Sequence, residues 1–480
     1  MIGWMIAGGI VLLAAVVLIR AFRMKPEQTD SGAAWTAPEA TDPACEHLAR
    51  AIRCRTISSS EGDMDMTPFL ELHRELEDMY PLVHKHLKKE VVNQGSLLYH
   101  WEGAEPAAKP VLFMGHLDVV PVEPGTESDW AYDAFSGTIQ DGYVWGRGAM
   151  DIKVQVITVL EAVERLLAEG FTPAKDIYLA FGHDEEPGGR QGAAKVAALL
   201  RERGVRFEFL MDEGGVIAYG ALPGVSEPAA VIGICEKGYL NVEMTAQGEG
   251  GHASQPPEHT ALGILARAAA RLEKRPFPRK ITAPAKAMLR YAGPHMGFVS
   301  RLAIANLWLM APVVKGIFGG TLTGNALLRT TMAVTVAQGA PEPNILPQTA
   351  RMVVNVRIAP GMTGADVLNY MRKVIHDSRV RLKPYRLDEP SQVSSVETRA
   401  FGLIRDGVAA VCPEAFVMPY LMVAGTDVPK YEDIADDCYR FTPYTADSED
   451  LERIHGTDER LSTVNVARCV AFYRHVIQNI

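Results

Sequence analysis

Three stretches of this chain repeat one design, and that design fixes the fold class. "KPVLFMGHLDVVP", "DIYLAFGHDEEPGG" and "VRFEFLMDEGG" each carry a short, mainly apolar run, and each run ends in acidic or imidazole side chains. A run of that kind reads as a strand buried on both faces. Between the strands lie helical patterns. Ile152 to Ala168 places Val156, Val159, Leu160, Val163 and Leu167 at amphipathic spacing, and Gln191 to Arg203 follows the same rule. Strands alternating with helices predict an α/β sheet, whose sites gather at the carboxyl ends of the strands. All three polar clusters sit at such ends.

Composition narrows the partners. The 480 residues are 48% hydrophobic and 22% charged, enough for a large core and two or three domains. A net charge of -10 with no basic stripe argues against nucleic acid. Cys45, Cys54, Cys235, Cys412, Cys438 and Cys469 are too scattered for a disulfide framework or a zinc ribbon, and read as buried thiols. The run from Ile2 to Ile19 is uncharged and close to the length a helix needs to cross a bilayer, with Arg20, Arg23 and Lys25 directly after it. Positive charges before the apolar stretch, which a cleaved signal peptide carries, are missing, so residues 1–25 read as an uncleaved single-pass membrane anchor. Residues 26–41 read as a linker.

The strand-end clusters have a chemical reading of their own. His116 and Asp118 are two apart and share a side of their strand, so the imidazole can bind a metal while the carboxylate fixes its tautomer. Asp151 leaves a glycine-rich turn in "VWGRGAMDIK" just before a helix, where its carboxylate can bridge two cations. In "GHDEEPGG", adjacent carboxylates repel unless a cation or proton sits between them. Glu186 on a metal leaves Glu185 free to take a proton from the attacking water. "MDEGG" offers Asp212 or Glu213. Imidazole and carboxylates without thiolate suit zinc, with manganese or cobalt as alternatives, in a catalytic site with open positions.

These phrases, together with "EKGYLNVEMTAQGEGGHASQPP", "PNILPQTARMVVNVRIAPG", "GTD" and "RIHGTDERLS", resemble in kind and order the zinc metallopeptidase and aminoacylase family, nearest its carboxypeptidase S and N-fatty-acyl-amino-acid synthase/hydrolase branch. The resemblance covers nearly the whole chain from about Ala44. It implies two zinc ions, with His116 and Glu186 each on one metal, Asp151 bridging, Asp212 chosen over Glu213 on one metal, and His455 completing the other. Asp118 would orient His116, and Glu185 would be the general base. It also implies a catalytic α/β domain in two parts, 42–232 and 362–480, interrupted at 233–361 by an α+β sandwich lid that pairs with a second copy in a homodimer. His252 would reach the oxyanion, in some members from the partner subunit, and Asn344 and Arg357 would hold the substrate carboxylate.

The expected activity is hydrolysis of the amide bond of N-acyl amino acids or short peptides, releasing a free C-terminal amino acid, with the reverse condensation open to the same site. Two alternatives stand beside it: a carboxypeptidase on dipeptides, and a non-catalytic membrane-anchored zinc-binding interaction protein, against which the presence of Glu185 argues. One departure bears on specificity. Relatives commonly carry an arginine shortly after "GTD", where this chain has "GTDVPKY" with Lys430. The charges flanking the anchor favour a cytoplasmic body, whereas enzymes of the resembling type often work outside, so the face of the membrane is left open.

Overall fold

The two largest sheets of the chain differ in burial as sharply as in sequence. The computed structural model describes residues 2–26, 35–59, 64–222 and 224–480. Residues 27–34, half of the expected linker, lie outside the described residues. In chain order the elements that matter here begin with helix α1 (Ile2–Arg23), then β1 (Lys88–Val92), β2 (Ser96–Trp101) and β3 (Val111–His116). Helix α2 (Lys153–Ala168), β4 (Ile177–Gly182), α3 (Ala193–Glu202), β5 (Phe207–Asp212), β6 (Ile217–Ala218) and β7 (Ala229–Glu236) follow. Next come β8 (Gly238–Gln247), α4 (Ala261–Lys274), α5 (Ala283–Ala292), α6 (Phe298–Ala305), α7 (Leu307–Phe318) and α8 (Leu322–Leu328). The last third holds β9 (Thr331–Gln338), β10 (Thr349–Ile358), α9 (Gly364–Ile375), β11 (Val380–Asp388), α10 (Arg399–Val411), β12 (Phe416–Met422), β13 (Ala435–Arg440), β14 (Thr445–Ala446) and α11 (Thr463–Gln478).

The larger sheet is mixed, in the order β1-β2-β4-β3-β5-β13-β7-β6-β14, with β12 also paired to β7. Its centre is parallel: β3 pairs with β4 and β5, and β13 with β5, all in the same direction. Every residue of β3 is buried, which is why its sequence shows no alternation. Helix α2 lies between this sheet and α11 and buries residues around nearly its whole circumference. The parallel strands deliver His116, Gly182 and Asp212 to one edge of the sheet, so the loops after them meet.

The second sheet, β9-β10-β8-β11, is antiparallel throughout. One face packs on α4 and α9 as a separate apolar core that includes Leu240, Val354, Leu265 and Met371. Strand pairing carries this unit to Asp388, past the boundary expected at residue 361, and leaves β7 in the larger sheet although residues 233–236 were expected in the insert. The physical reason is that β11 completes the sheet on the free edge of β8. A second correction concerns α5 to α8: Met288, Leu289, Ile304, Val314 and Leu327 belong to the core of the larger sheet, not to the core of the insert.

Candidate active site

Asp118 is the hub from which the site is built. Ser58 Oγ donates to its Oδ2 at 2.5 Å, and the backbone amides of Glu185 and Glu186 donate to Oδ1 and Oδ2 at 3.1 and 3.2 Å. A single buried carboxylate thus sets the position of the acidic loop. It also faces His116, whose Nδ1 lies 2.8 Å from the Asp118 carbonyl and 3.3 Å from its Oδ1. Both partners only accept, so Nδ1 carries the hydrogen and Nε2 is turned toward the cleft.

Two carboxylates meet that nitrogen. His116 Nε2 lies 3.2 Å from Asp151 Oδ1 and 3.3 Å from Glu213 Oε1. The other oxygen of Asp151 lies 2.9 Å from His455 Nε2, which is 3.3 Å from Glu186 Oε1. Those contacts form two groups of metal-ligating side chains, His116–Asp151–Glu213 and Asp151–Glu186–His455, with Asp151 common to both. Glu186 Oε1 is buried and, despite its nearness to His455, aligned with no hydrogen-bond donor among the described residues.

The electrostatics of this cluster follow from its excess of carboxylate. Burial favours the neutral imidazole of His116, but Glu213, Asp118 and Asp151 outweigh it and push the pKa well above its ordinary value. His455 is pushed up to about 10 by the adjacent carboxylates of Asp151 and then Glu186. Glu213 is raised to about 8, first by burial and then by Asp151 against the opposing pull of His116. Asp151 is strongly lowered, because the two imidazoles overcome its burial. Groups with such opposed shifts, facing one cleft, mark a candidate functional site, and its excess of carboxylate suits a cation. The donor set, imidazole and carboxylate without sulfur, fits a divalent ion of the zinc type. None of the cysteines is a ligand; all six are buried and free.

Each acid of "GHDEEPGG" has its own task. Asp184 is buried and accepts from the amides of Gln191 and Gly192 at 2.7 and 2.6 Å, so it shapes the loop. Glu185 lines the cleft, and burial first, then the charges of Glu213, Asp427 and Asp118, raise its pKa well above the ordinary range despite His116. Glu186 faces His455. Gly189 has φ +66°, and a Cβ there would stand 1.9 Å from Asp427 Oδ1, so glycine is required where this loop crosses the "GTD" segment.

The structure brings Glu213, not Asp212, against His116; which of the two holds a cation belongs to the reading proposed below. Asp212 is the last residue of β5, its Oδ2 has no hydrogen-bond partner among the described residues, and it joins neither group of candidate ligands. Glu213, one residue on, points to the other side and reaches His116.

The cleft, about 850 Å³, runs from these ligands to the insert. Arg357, Arg386 and Tyr239 line its far wall, with the two guanidinium carbons 4.7 and 4.4 Å from the tyrosine ring centre. Lys430 also lines it and lies 3.3 Å from Asp427. His252 and Asn344 do not line this cleft: His252 is exposed on a short ladder with Ile345, and the Asn344 carbonyl accepts from the Ala253 amide. Neither therefore touches the site of its own chain.

Two contributors escaped the sequence reading. Arg386 lies on β11, whose place in the insert was not foreseen. Glu459, inside the quoted "RIHGTDERLS", is fully buried; its Oε1 accepts from the amides of Gly148, Met150 and Asp151 at 3.0, 2.8 and 3.2 Å, and its Oε2 from Arg147 at 2.7 Å. It ties the turn that presents Asp151 to the loop that presents His455. Its spacing from His455 was the available signal.

Comparison with known proteins agrees with this geometry. The family model described as peptidase family M20/M25/M40 matches residues 112–479. A probable carboxypeptidase S-like protein of Dictyostelium discoideum is 37% identical over 440 residues, covering 90% of this chain and 84% of that one. The mouse N-fatty-acyl-amino acid synthase/hydrolase PM20D1 is 36% identical over 440 residues, covering 90% and 87%. Among solved structures, an M20 family metallo-carboxypeptidase from Sulfolobus solfataricus superposes with a TM-score of 0.67 at 17% identity, covering 91% of this chain and 99% of that one, a likeness of fold.

Proposed function

This chain belongs to the peptidase family M20/M25/M40, and from that premise we propose that it hydrolyses the amide bond of N-acyl amino acids or short peptides, releasing a free C-terminal amino acid. Amide or peptide hydrolysis in general follows from the family; the substrate class and the roles below are our reading. The observation that carries it is the sharing of Asp151 between two imidazole–carboxylate groups on one cleft.

His116 and Glu213 would hold one cation and Glu186 and His455 a second, with Asp151 between them. Two zinc ions so held would polarise the amide carbonyl and acidify water. Glu185, kept by its buried surroundings as a stronger base than an ordinary carboxylate, takes the proton of the attacking water and returns it to the leaving amine. Asp118 holds His116 in the tautomer that presents Nε2. Arg357 and Arg386 face the same space and offer planar forks to the substrate carboxylate, a task Lys430 performs only as a point charge. His252, exposed and outside its own chain's cleft, is assigned to the oxyanion of a partner subunit in a homodimer. Asn344 is assigned to the same shared face.

Helix α1 is assigned to the membrane as a single-pass anchor: Trp4–Arg23 is long and apolar enough to cross, and only 6% of it is buried against the protein. The mouse relative supports a fatty-acyl substrate and the Dictyostelium relative a peptide. Hydrolysis by the detergent-solubilised chain of an N-acyl glycine series, alongside dipeptides, decides between them. Rising kcat/KM with acyl length is expected; a flat or falling profile leaves a dipeptide carboxypeptidase. Activity that survives exhaustive chelation would overturn the metal reading altogether.

A further inference from the structure

The outer face of α7 inverts the usual pattern of a surface helix. Its exposed positions are Trp308, Leu309, Pro312, Val313, Gly316 and Ile317, two parallel stripes at four-residue spacing without a single polar side chain. Trp308 is 59% and Ile317 68% exposed. A helix on the surface of a soluble domain turns its charged face outward; here the inner residue, Val314, packs on the core, and the outer face is the more continuous apolar one. Phe298 and Val299 of α6 and Leu322 of α8 extend the exposed apolar area on either side.

What covers this face is indicated by its neighbour. The elbow between α6 and α7 is fastened to α1: Asn306, fully buried, donates through Nδ2 to the carbonyl of Val17 at 3.0 Å, and Arg20 Nε donates to the carbonyl of Ala305 at 3.0 Å. Phe22 packs on Phe298 with ring centres 5.5 Å apart. At a rise of about 1.5 Å per residue, Val17 lies roughly 9 Å below the end of α1 at Arg23. The elbow is therefore pinned at the depth where an interfacial helix buries its apolar side, roughly 5–10 Å below the headgroups. At the end of α1, above the elbow, Arg20, Arg23, Lys25 and Arg290 line a cavity of about 690 Å³ together with Glu227 and Glu414, and the cations are in the majority where lipid phosphates would lie. Helix α7 has 12 residues, too few to cross a bilayer.

We propose that α6, α7 and the start of α8 form a lipid-embedded platform, lying in the leaflet from which the C-terminal end of α1 emerges. The platform adds a second attachment beside the anchor and fixes how the catalytic body sits on the bilayer. It is also coupled to the cleft: Lys237, which lines the cleft, donates through Nζ to the carbonyls of Ala326 and Arg329 at the end of α8, at 3.0 and 2.9 Å. The proposal rests on the reading of α1 as a membrane span.

The test uses the full chain reconstituted in phosphatidylcholine vesicles, with an environment-sensitive fluorophore on a cysteine introduced by Val313→Cys or Ile317→Cys. The native cysteines are all buried, so labelling is selective. Leu12→Cys reports on the anchor and Glu202→Cys on an exposed part of the body. Labels at 313 and 317 are expected to be quenched by lipids brominated on the acyl chain, and to be quenched by aqueous iodide several-fold less than the label at 202. Iodide quenching at 313 and 317 equal to that at 202, with the label at 12 still quenched by bromolipid, overturns the platform and leaves the anchor. Escape of the label at 12 from bromolipid overturns both readings. Shielding of 313 and 317 from both quenchers also overturns the platform, because a second copy of the chain then covers the face.

Discussion

The two largest sheets of this molecule carry opposite kinds of surface. In the larger sheet β3 is buried at every residue, and the loops it feeds are cross-linked through Asp118, Glu459 and Asp184. In the insert, β9 and β11 are exposed along most of their length, helices cover one face only, and the residues that reach the cleft are long cations stacked on Tyr239. On the proposed reading, ligand geometry, which tolerates little movement, is built where buried carboxylates fix the backbone, and the arginines assigned to the substrate carboxylate stand on a sheet covered on one face only. The difference then teaches a division of labour: chemistry from the first sheet, selection from the second.

The largest effect should come from the chemistry side. Glu185→Gln is expected to lower turnover by about 10²–10⁴, toward the upper end because the residue also positions water, with KM little changed. A drop in turnover below tenfold, measured at saturating substrate, would remove Glu185 from the reaction. The rigidity of this side is tested by Glu459→Ala. It strands the buried Arg147 guanidinium and three amides, and should cost about 3–5 kcal/mol in denaturant unfolding. A cost indistinguishable from zero would show that the two loops are not held together as described.

The selection side predicts a smaller and different signature. Arg386→Ala or Arg357→Ala should raise KM roughly 10- to 100-fold for substrates with a free carboxylate, the worth of a charged hydrogen bond of about 1.5–3 kcal/mol, and spare the corresponding carboxamides. Equal losses on both substrate types would mean that the arginines only pack the insert.

The smallest effect sits at the junction of the two regions. Lys237 is buried between the sheets, and burial, then Arg357, lower its pKa from 10.5 to about 8. Between pH 8 and 10.5 the unfolded chain therefore binds more protons at this residue than the folded one, so its contribution to stability rises with pH. The slope is at most about 1.4 kcal/mol per pH unit. Unfolding free energies from pH 8 to 10 should rise less steeply in Lys237→Met than in the parent chain; parallel curves would show that Lys237 keeps its ordinary affinity for the proton.

Much of the first region was legible in the sequence, because apolar runs identify parallel strands whose ends bring His116 and Glu186 to one edge, and the glycine-rich turn before α2 delivers Asp151 beside them. What the sequence leaves open is the choice between two acids at the end of β5. Adjacent residues point to opposite sides there, so Asp212 and Glu213 differ only by where the strand stops. The extent of the second region was misjudged for a related reason: β11 alternates and is rich in charge, and nothing short of its pairing with β8 assigns it to the insert. Arg386 was missed along with it. Glu459 was in view but unassigned, since its partners are backbone amides 308 to 311 residues away.

The central claim is that Asp151 joins two cation sites, one completed by Glu213 and the other by Glu186. Elemental analysis of the purified chain and three variants tests it most directly. The account predicts two divalent ions per chain in the parent protein and in Asp212→Asn, and loss of an ion in both Glu213→Gln and Glu186→Gln. Retention of both ions in Glu213→Gln with loss in Asp212→Asn would contradict it.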